Sequence, residues 1–227
     1  MTITTTTLFR AAAVAAVVAG LIFVGVQIEH PYLDATSITT TDVMVRNLLK
    51  MLMATLALAG ITGVYLRQVT KSGVLGLLGY VLFAAGYLSM LGTEYVAALV
   101  LPSTAHSATA YVNDVIAVAN NRPATGDIGL MRSAIVFTGI TYIAGGFIFA
   151  IALFRANVLA RWAAALLAVG TLATIAVGVV PKYERLFALP TGLALVGLGY
   201  SLWRDQRVAR LSAASIVEPI AVCSADA

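Results

Sequence analysis

The chain has 227 residues, 60% of them hydrophobic and 11% charged, with 14 basic against 10 acidic side chains and a mean hydropathy of +0.95. An ordinary soluble domain carries about 25% charge, so this composition excludes one. The net charge of +4 is spread between apolar runs, which gives no nucleic-acid footprint, and the single cysteine, Cys223, excludes an intramolecular disulfide.

An α-helix rises about 1.5 Å per residue, so about 20 apolar residues cross a hydrocarbon core of about 30 Å. Six runs approach that length, at residues 9–27, 47–66, 74–101, 133–154, 162–180 and 186–203. The first is longer than the apolar region of a signal peptide, and no clean small-x-small site follows it, so it reads as a retained helix. The fold class expected is therefore all-α: a polytopic membrane protein, a six-transmembrane-helix bundle occupying residues 1–207. The stretch 208–227 is short on aromatics, contains Pro219, and reads as a flexible cytoplasmic tail.

The connections alternate in character. Residues 67–73 and 155–161 make tight turns, whereas 29–46 and 102–132 are long and 181–185 is short. Arg10, Arg67, Lys71, Arg155, Arg161, Arg204, Arg207 and Arg210 fall on the side of the tight turns. Arg46, Lys50, Arg122, Arg132, Lys182 and Arg185 fall on the other, together with the acids Glu29, Asp34, Asp42, Asp114, Asp127 and Glu184. The basic, nearly acid-free side is the expected cytoplasmic one, which puts both termini in the cytoplasm and the long loops outside the cell membrane. Within 102–132, Tyr111, Val112, Val115, Ile116 and Ala119 recur at helical spacing. Ser107 or Thr109 is available as a cap, and the stretch 120–123 (NNRP) acts as a stop. This spacing predicts a short amphipathic extracytoplasmic helix, resting on the bundle or covering a cavity.

Glycines stud the runs: Gly60 and Gly63, Gly79 and Gly86, Gly145 and Gly146, then Gly192, Gly197 and Gly199. Small residues let helices approach closely where hydrophobicity no longer drives association. The second, fourth and sixth runs each end on an arginine after an aromatic or aliphatic step. Three hairpins in series would give that pattern, and so would the common demands of one membrane interface.

Glu94 is the one acidic residue inside an apolar run, and an intramembrane carboxylate is a functional candidate by default. Tyr80, Tyr87 and Glu94 are spaced by seven, which returns them to nearly one helix face, with Met90 close to that line. Lys50 stands one turn inside the second run, able to snorkel outward or to reach Glu94 as its counter-charge. Paired, Glu94 is held ionised; unpaired, it becomes a proton donor. His30 and His106 complete the outer rim. The candidate ligand-binding residues are thus Tyr80, Tyr87, Met90, Glu94, Lys50, His30 and His106.

No metal is expected, because Glu29 and His30 are adjacent and no HxxxH or HxxE pair occurs. No cofactor is expected either. Phosphate-binding glycine loops are absent, and two histidines outside the apolar runs do not suit a bis-histidine haem.

The segments 126–131 (GDIGLM), 142–146 (YIAGG), 160–164 (ARWAA), 190–192 (PTG) and 199–204 (GYSLWR) carry a resemblance. The chain resembles small, uncharacterised six-helix integral membrane proteins of the actinobacterial type. That resemblance implies a fold and assigns no activity and no catalytic residue.

The leading functional expectation is a protein that binds or senses a lipid or other lipophilic small molecule in an outward-facing pocket inside the bundle. Its rival is a membrane-embedded enzyme using Glu94 as general acid or base on a lipophilic, isoprenoid-like substrate. A small transporter or structural accessory subunit ranks third, since no interrupted helix pair marks a transport site. The expected partners are membrane lipids and that lipophilic molecule, with homo-oligomers left open.

Overall fold

A computed structural model describes residues 4–29, 31–175 and 186–223, with the side chains of 187 and 208–223 outside the description. Among the described residues the chain is all-helical, without strands. Its helices are α1 (Thr5–Gly25), α2 (Thr41–Arg67), α3 (Val69–Tyr95), α4 (Leu101–Thr104), α5 (Thr109–Ala119), α6 (Leu130–Ala156), α7 (Arg161–Ala173) and α8 (Leu189–Cys223). Four helical stretches, Thr5–Gly25, Thr41–Arg67, Val69–Thr104 and Leu130–Ala156, are long and apolar enough to cross a membrane. The chain is therefore a helical membrane protein by length and composition.

Local chemistry sets the helix ends. The Thr40 side chain caps α2 by accepting from the Val43 N–H. Asn157, left-handed at φ 51°, closes α6 in a conformation that asparagine tolerates. Gly73, at φ 57° and ψ −156°, separates the first turn of α3 from its long apolar body. That backbone is open only to glycine without strain.

The third apolar run does not end as a plain helix. Pro102 has no N–H to offer the carbonyl of Ala98, and its ring crowds that carbonyl. The chain answers with a widened turn over Val96–Val100, in which the Leu101 N–H bonds back five residues to the Val96 carbonyl. The expected fifth run, 162–180, corresponds to α7 up to Ala173, and residues 176–185 lie outside the described residues. At the C-terminus the backbone of α8 runs on as helix to Cys223, past the boundary at 207 drawn from the sequence, and residues 224–227 lie outside the description.

The long helices pack in a closed cyclic order: α1 on α2, α2 on α3, α3 on α6, α6 on α7, α7 on α8, and α8 back on α1. The α3–α6 contact is the most extensive, and glycines make it possible. A Cβ added at Gly86 would fall 2.8 Å from the Tyr142 backbone, so the two helices touch main chain to side of main chain there. The bundle core gathers Phe83, Tyr87, Phe149, Leu153, Leu167, Leu195 and Leu198, all buried.

A second, smaller core lies outside the first. Ala35, Ile38 and Val43 from the 29–46 connection pack with Leu101, Ala105, Val112, Val115, Ile116 and Ile128 from the 102–132 connection. The two long loops thus fold together into one cap. The Asn113 side-chain carbonyl accepts from the Ala35 N–H at 2.8 Å, and Arg122 donates to the Tyr32 hydroxyl at 2.7 Å, which fastens one loop to the other.

Candidate functional site

Beneath the cap, the ring of helices lines a partly open cavity of about 430 Å³. That volume lies in the range of small-molecule sites, about 300–1,000 Å³. Every long helix, or the residue adjoining it, adds to the wall: Phe23 from α1, Asn47 and Lys50 from α2, Met90 and Glu94 from α3, Ile135, Thr138 and Tyr142 from α6, Thr174 after α7 and Ala188 before α8. The cap contributes Ile38, Val115 and Ile116 as a roof. These are the same side chains that form the cap's own core, so the roof is a packed structure rather than a loose loop.

Two charges stand on the described wall. Lys50 Nζ lies 3.6 Å from Glu94 Oε1 and donates to the Asn47 side-chain carbonyl at 3.4 Å. The side chains of Lys50 and Glu94 are 18% and 19% exposed, and Asn47 is buried. An ion pair so sheltered from bulk water has to satisfy its remaining hydrogen-bond capacity locally. At 3.6 Å the pair is looser than a short charge-assisted hydrogen bond, which runs about 2.7–2.9 Å. Both groups therefore keep bonding capacity that faces the cavity. The widened turn at Val96–Val100 begins two residues after Glu94, and Ala97 within it and Leu101 just after it also line the wall.

Deeper in the bundle, Tyr142 joins the cavity to the core. Its ring meets that of Tyr87 edge-on, with centroids 5.6 Å apart, and its hydroxyl faces those of Tyr87 and Thr191. All three residues and their hydroxyl oxygens are buried, and the Tyr142 hydroxyl has those of Tyr87 and Thr191 as its polar neighbours. One turn above Tyr142, Thr138 is spent: its hydroxyl pairs with Ser89 at 2.6 Å and donates to the Ala134 carbonyl.

The residues singled out from the sequence divide between these surroundings. Lys50, Met90 and Glu94 meet at the cavity. Tyr87 does not line it; its ring is turned into the core against Phe83 and Tyr142. Tyr80 is farther off, stacked on Tyr65 with centroids 4.6 Å apart and hydrogen-bonded to the Thr62 hydroxyl at 2.9 Å. The spacing of seven keeps these residues near one face, but the drift of about 20° per heptad and a different neighbour at each level separate their roles. His106 is exposed on the cap and does not border the cavity, and His30 lies outside the described residues.

Asn47, Thr138 and Tyr142 are wall residues that the sequence reading passed over. Asn47 carried a signal, being a polar side chain at the start of an apolar run. Tyr142 carried none, since its place at the cavity depends on where α6 crosses α3.

The cap is held by carboxylates. Asp114 accepts from the Thr125 N–H at 2.8 Å, the Gly126 N–H at 2.9 Å and the Thr125 hydroxyl at 3.0 Å. These bonds, that of the Thr125 N–H first, hold its carboxyl below the ordinary value against the opposing effect of burial, with help from Arg132. Asp34 behaves alike: the N–H groups of Ser37 and Thr36 bond to its carboxylate at 2.7 and 2.9 Å and lower its pKa. Among the described residues, no group of three or more His, Cys, Asp or Glu side chains could hold a metal ion.

The chain matches no family model, no curated protein and no solved structure.

Proposed function

We propose that this protein crosses the cell membrane six times, with both termini in the cytoplasm and the cap outside, and that it binds or senses a lipophilic small molecule in the capped cavity. The six proposed crossings are the helices of the closed ring, α1, α2, α3, α6, α7 and α8. For α7, the apolar sequence 174–180 would complete the length that its 13 described helical residues lack. The orientation rests on the basic residues at the ends away from the cap, among them Arg67, Lys71, Arg155 and Arg161.

The observation that carries the binding reading is the cavity itself. It is walled mostly by apolar side chains from all around the ring, with Asn47, Thr93, Asn120 and Asn121 among its polar members, roofed by a cap with its own core, and supplied with one Lys50–Glu94 pair to orient an occupant. Such a wall favours a molecule that partitions into the bilayer, and the pair selects among such molecules.

The test is native mass spectrometry of the protein in mild detergent, wild type beside Glu94→Gln, with extracted small molecules identified. A defined compound retained by the wild type and depleted in the variant supports the reading. Only bulk lipid in both overturns it. Glu94 as a general acid or base is the second reading, favoured by its open side toward the cavity. It requires that Glu94→Gln keep the compound but stop its conversion.

A further inference from the structure

We propose a second binding site, on the outside of the bundle: an anionic phospholipid of the leaflet away from the cap, with its phosphate at Arg10 and one acyl chain along the outer face of α1. The proposal needs the helices to lie in a bilayer and is independent of any occupant of the capped cavity.

The sequence of α1 makes the face. Arg10, Ala11, Val14, Ala15 and Val18 recur at spacings that keep them on one stripe of the helix. Leu56 of α2 and Trp203 of α8 join that stripe in lining an open, largely apolar groove of about 460 Å³. The small side chains of Ala11 and Ala15 leave its relief, and Arg10 is the one charged residue that lines it. From Arg10 to Val18 the stripe rises about 12 Å, less than half of a hydrocarbon core about 30 Å thick, so the groove lies within one leaflet.

Arg10 supplies the headgroup station. Its guanidinium carbon sits 4.8 Å from the centroid of the Trp203 ring, and this cation–π contact holds it at the mouth of the groove. Among the described residues it has no ion pair and no hydrogen-bond partner. Only its Nε is sealed from the surface, so the two terminal nitrogens keep their N–H donors free and accessible. An arginine beside hydrocarbon is costly without an acceptor, and a phosphate at the membrane interface offers two oxygens that match its fork. A free phosphate would meet the charge alone; a phospholipid also fills the apolar groove that continues from it.

The surroundings select a headgroup of net negative charge. Among the side chains described at this end of the bundle, Asp205 is the one acid, and Arg67 engages both of its oxygens at 2.6 and 3.1 Å. The amine of a zwitterionic headgroup would therefore find no open carboxylate there. Arg204 and Arg207, both exposed, add to the positive potential.

Trp203 reports on the groove directly, because the chain has one other tryptophan, Trp162. The test is the fluorescence of the full-length Trp162→Phe protein in phosphatidylcholine vesicles. Either phosphatidylglycerol or phosphatidylcholine, brominated near the headgroup end of its chains so that it quenches tryptophan on contact, is mixed in at equal mole fraction. The brominated phosphatidylglycerol is expected to associate with the Trp203 groove about fivefold more strongly than the brominated phosphatidylcholine. Arg10→Gln should abolish that preference, and Arg10→Lys, which keeps the charge but loses the fork, should retain part of it. Arg155→Gln removes an exposed basic residue at the same end but outside the groove, and should leave the preference intact. Equal quenching by the two lipids, or a preference that survives Arg10→Gln, would overturn the proposal. So would an equal loss in Arg155→Gln, which would mean diffuse attraction to a basic surface. Arg10 makes no ion pair or hydrogen bond within the described protein, so its replacement spares the fold. Native mass spectra of the unaltered chain with an equimolar mixture of the two lipids check the preference without the Trp162 change, and equal retention there would also overturn it. None of these outcomes bears on the capped cavity, whose own test stands apart.

Discussion

Lys50 on α2 and Glu94 on α3 face each other across 3.6 Å at the edge of a cavity that every long helix helps to wall. Neither charge has a competing partner of opposite sign within ion-pair distance among the described residues. Removing one of them strands the other in a sheltered, largely apolar place. Lys50→Gln and Glu94→Gln should each lower stability by about 1–3 kcal/mol, less than a fully buried pair would lose. The double variant should recover most of that loss, because it removes both charges together. Thermal unfolding in detergent of the four proteins gives the cycle. Strictly additive losses would mean that the two groups do not interact.

Gly139 offers a way to fill the cavity without touching its polar groups. It lies on the wall, and a Cβ placed there meets nothing within 4 Å. Gly139→Leu should therefore send a side chain into open space and exclude the occupant. Folding should not suffer, since leucine is the better helix former by close to 1 kcal/mol. The expected outcome is an unfolding midpoint at or above that of the wild type and loss of the compound retained in native mass spectra. A variant that folds and still retains the compound would place the occupant elsewhere.

Much of the architecture was legible in the sequence because hydrocarbon imposes length and apolarity directly on the chain. The long helices announce themselves by those two properties, and the close contacts at Gly86 and Gly145 by the spacing of small residues. Lys50 and Glu94 stood out because a charge in an apolar run is expensive. Tyr142 did not, being an ordinary aromatic in an ordinary run. Its role follows from the crossing of α3 and α6, a relation between residues 56 positions apart for the pair Gly86 and Tyr142. The widened turn at Val96–Val100 was likewise hidden, although Pro102 supplies its cause. The joining of two long loops into one cap depends on the Asn113 and Arg122 bonds to the other loop, and no periodicity within either loop encodes them.

The cap should be indifferent to pH through the neutral and mildly acidic range and should loosen only in strong acid. The carboxyl of Asp114 is held below its ordinary value of 3.8 by the Thr125 and Gly126 N–H groups, so the folded cap favours the ionised form. Its contribution is complete above the ordinary value and is lost as pH falls through the lower, folded one. Asp34, shifted in the same direction by Ser37 and Thr36, adds to the effect. Hydrogen exchange over residues 109–126 between pH 7 and pH 3 measures it. Asp114→Asn should raise exchange at neutral pH and flatten the acid dependence. Loosening of the wild-type cap already between pH 7 and pH 5 would contradict this assignment.

The proposed topology makes a prediction at two single thiols. An even number of crossings returns both ends of a chain to one side of the membrane, and here the basic residues put that side in the cytoplasm. Cys223 at the end of α8 is the natural thiol on that side, and Ser107, exposed between α4 and α5, is a site for one in the cap. In intact cells a membrane-impermeant maleimide should leave the wild-type protein unlabelled and should label the Ser107→Cys variant made in a Cys223→Ser background. After permeabilisation both should react. Labelling of Cys223 in intact cells, with or without labelling at position 107, would mean an odd number of crossings or an inverted protein. An inverted protein would open its cavity toward the cytoplasmic pool of ligands instead of the one outside the cell.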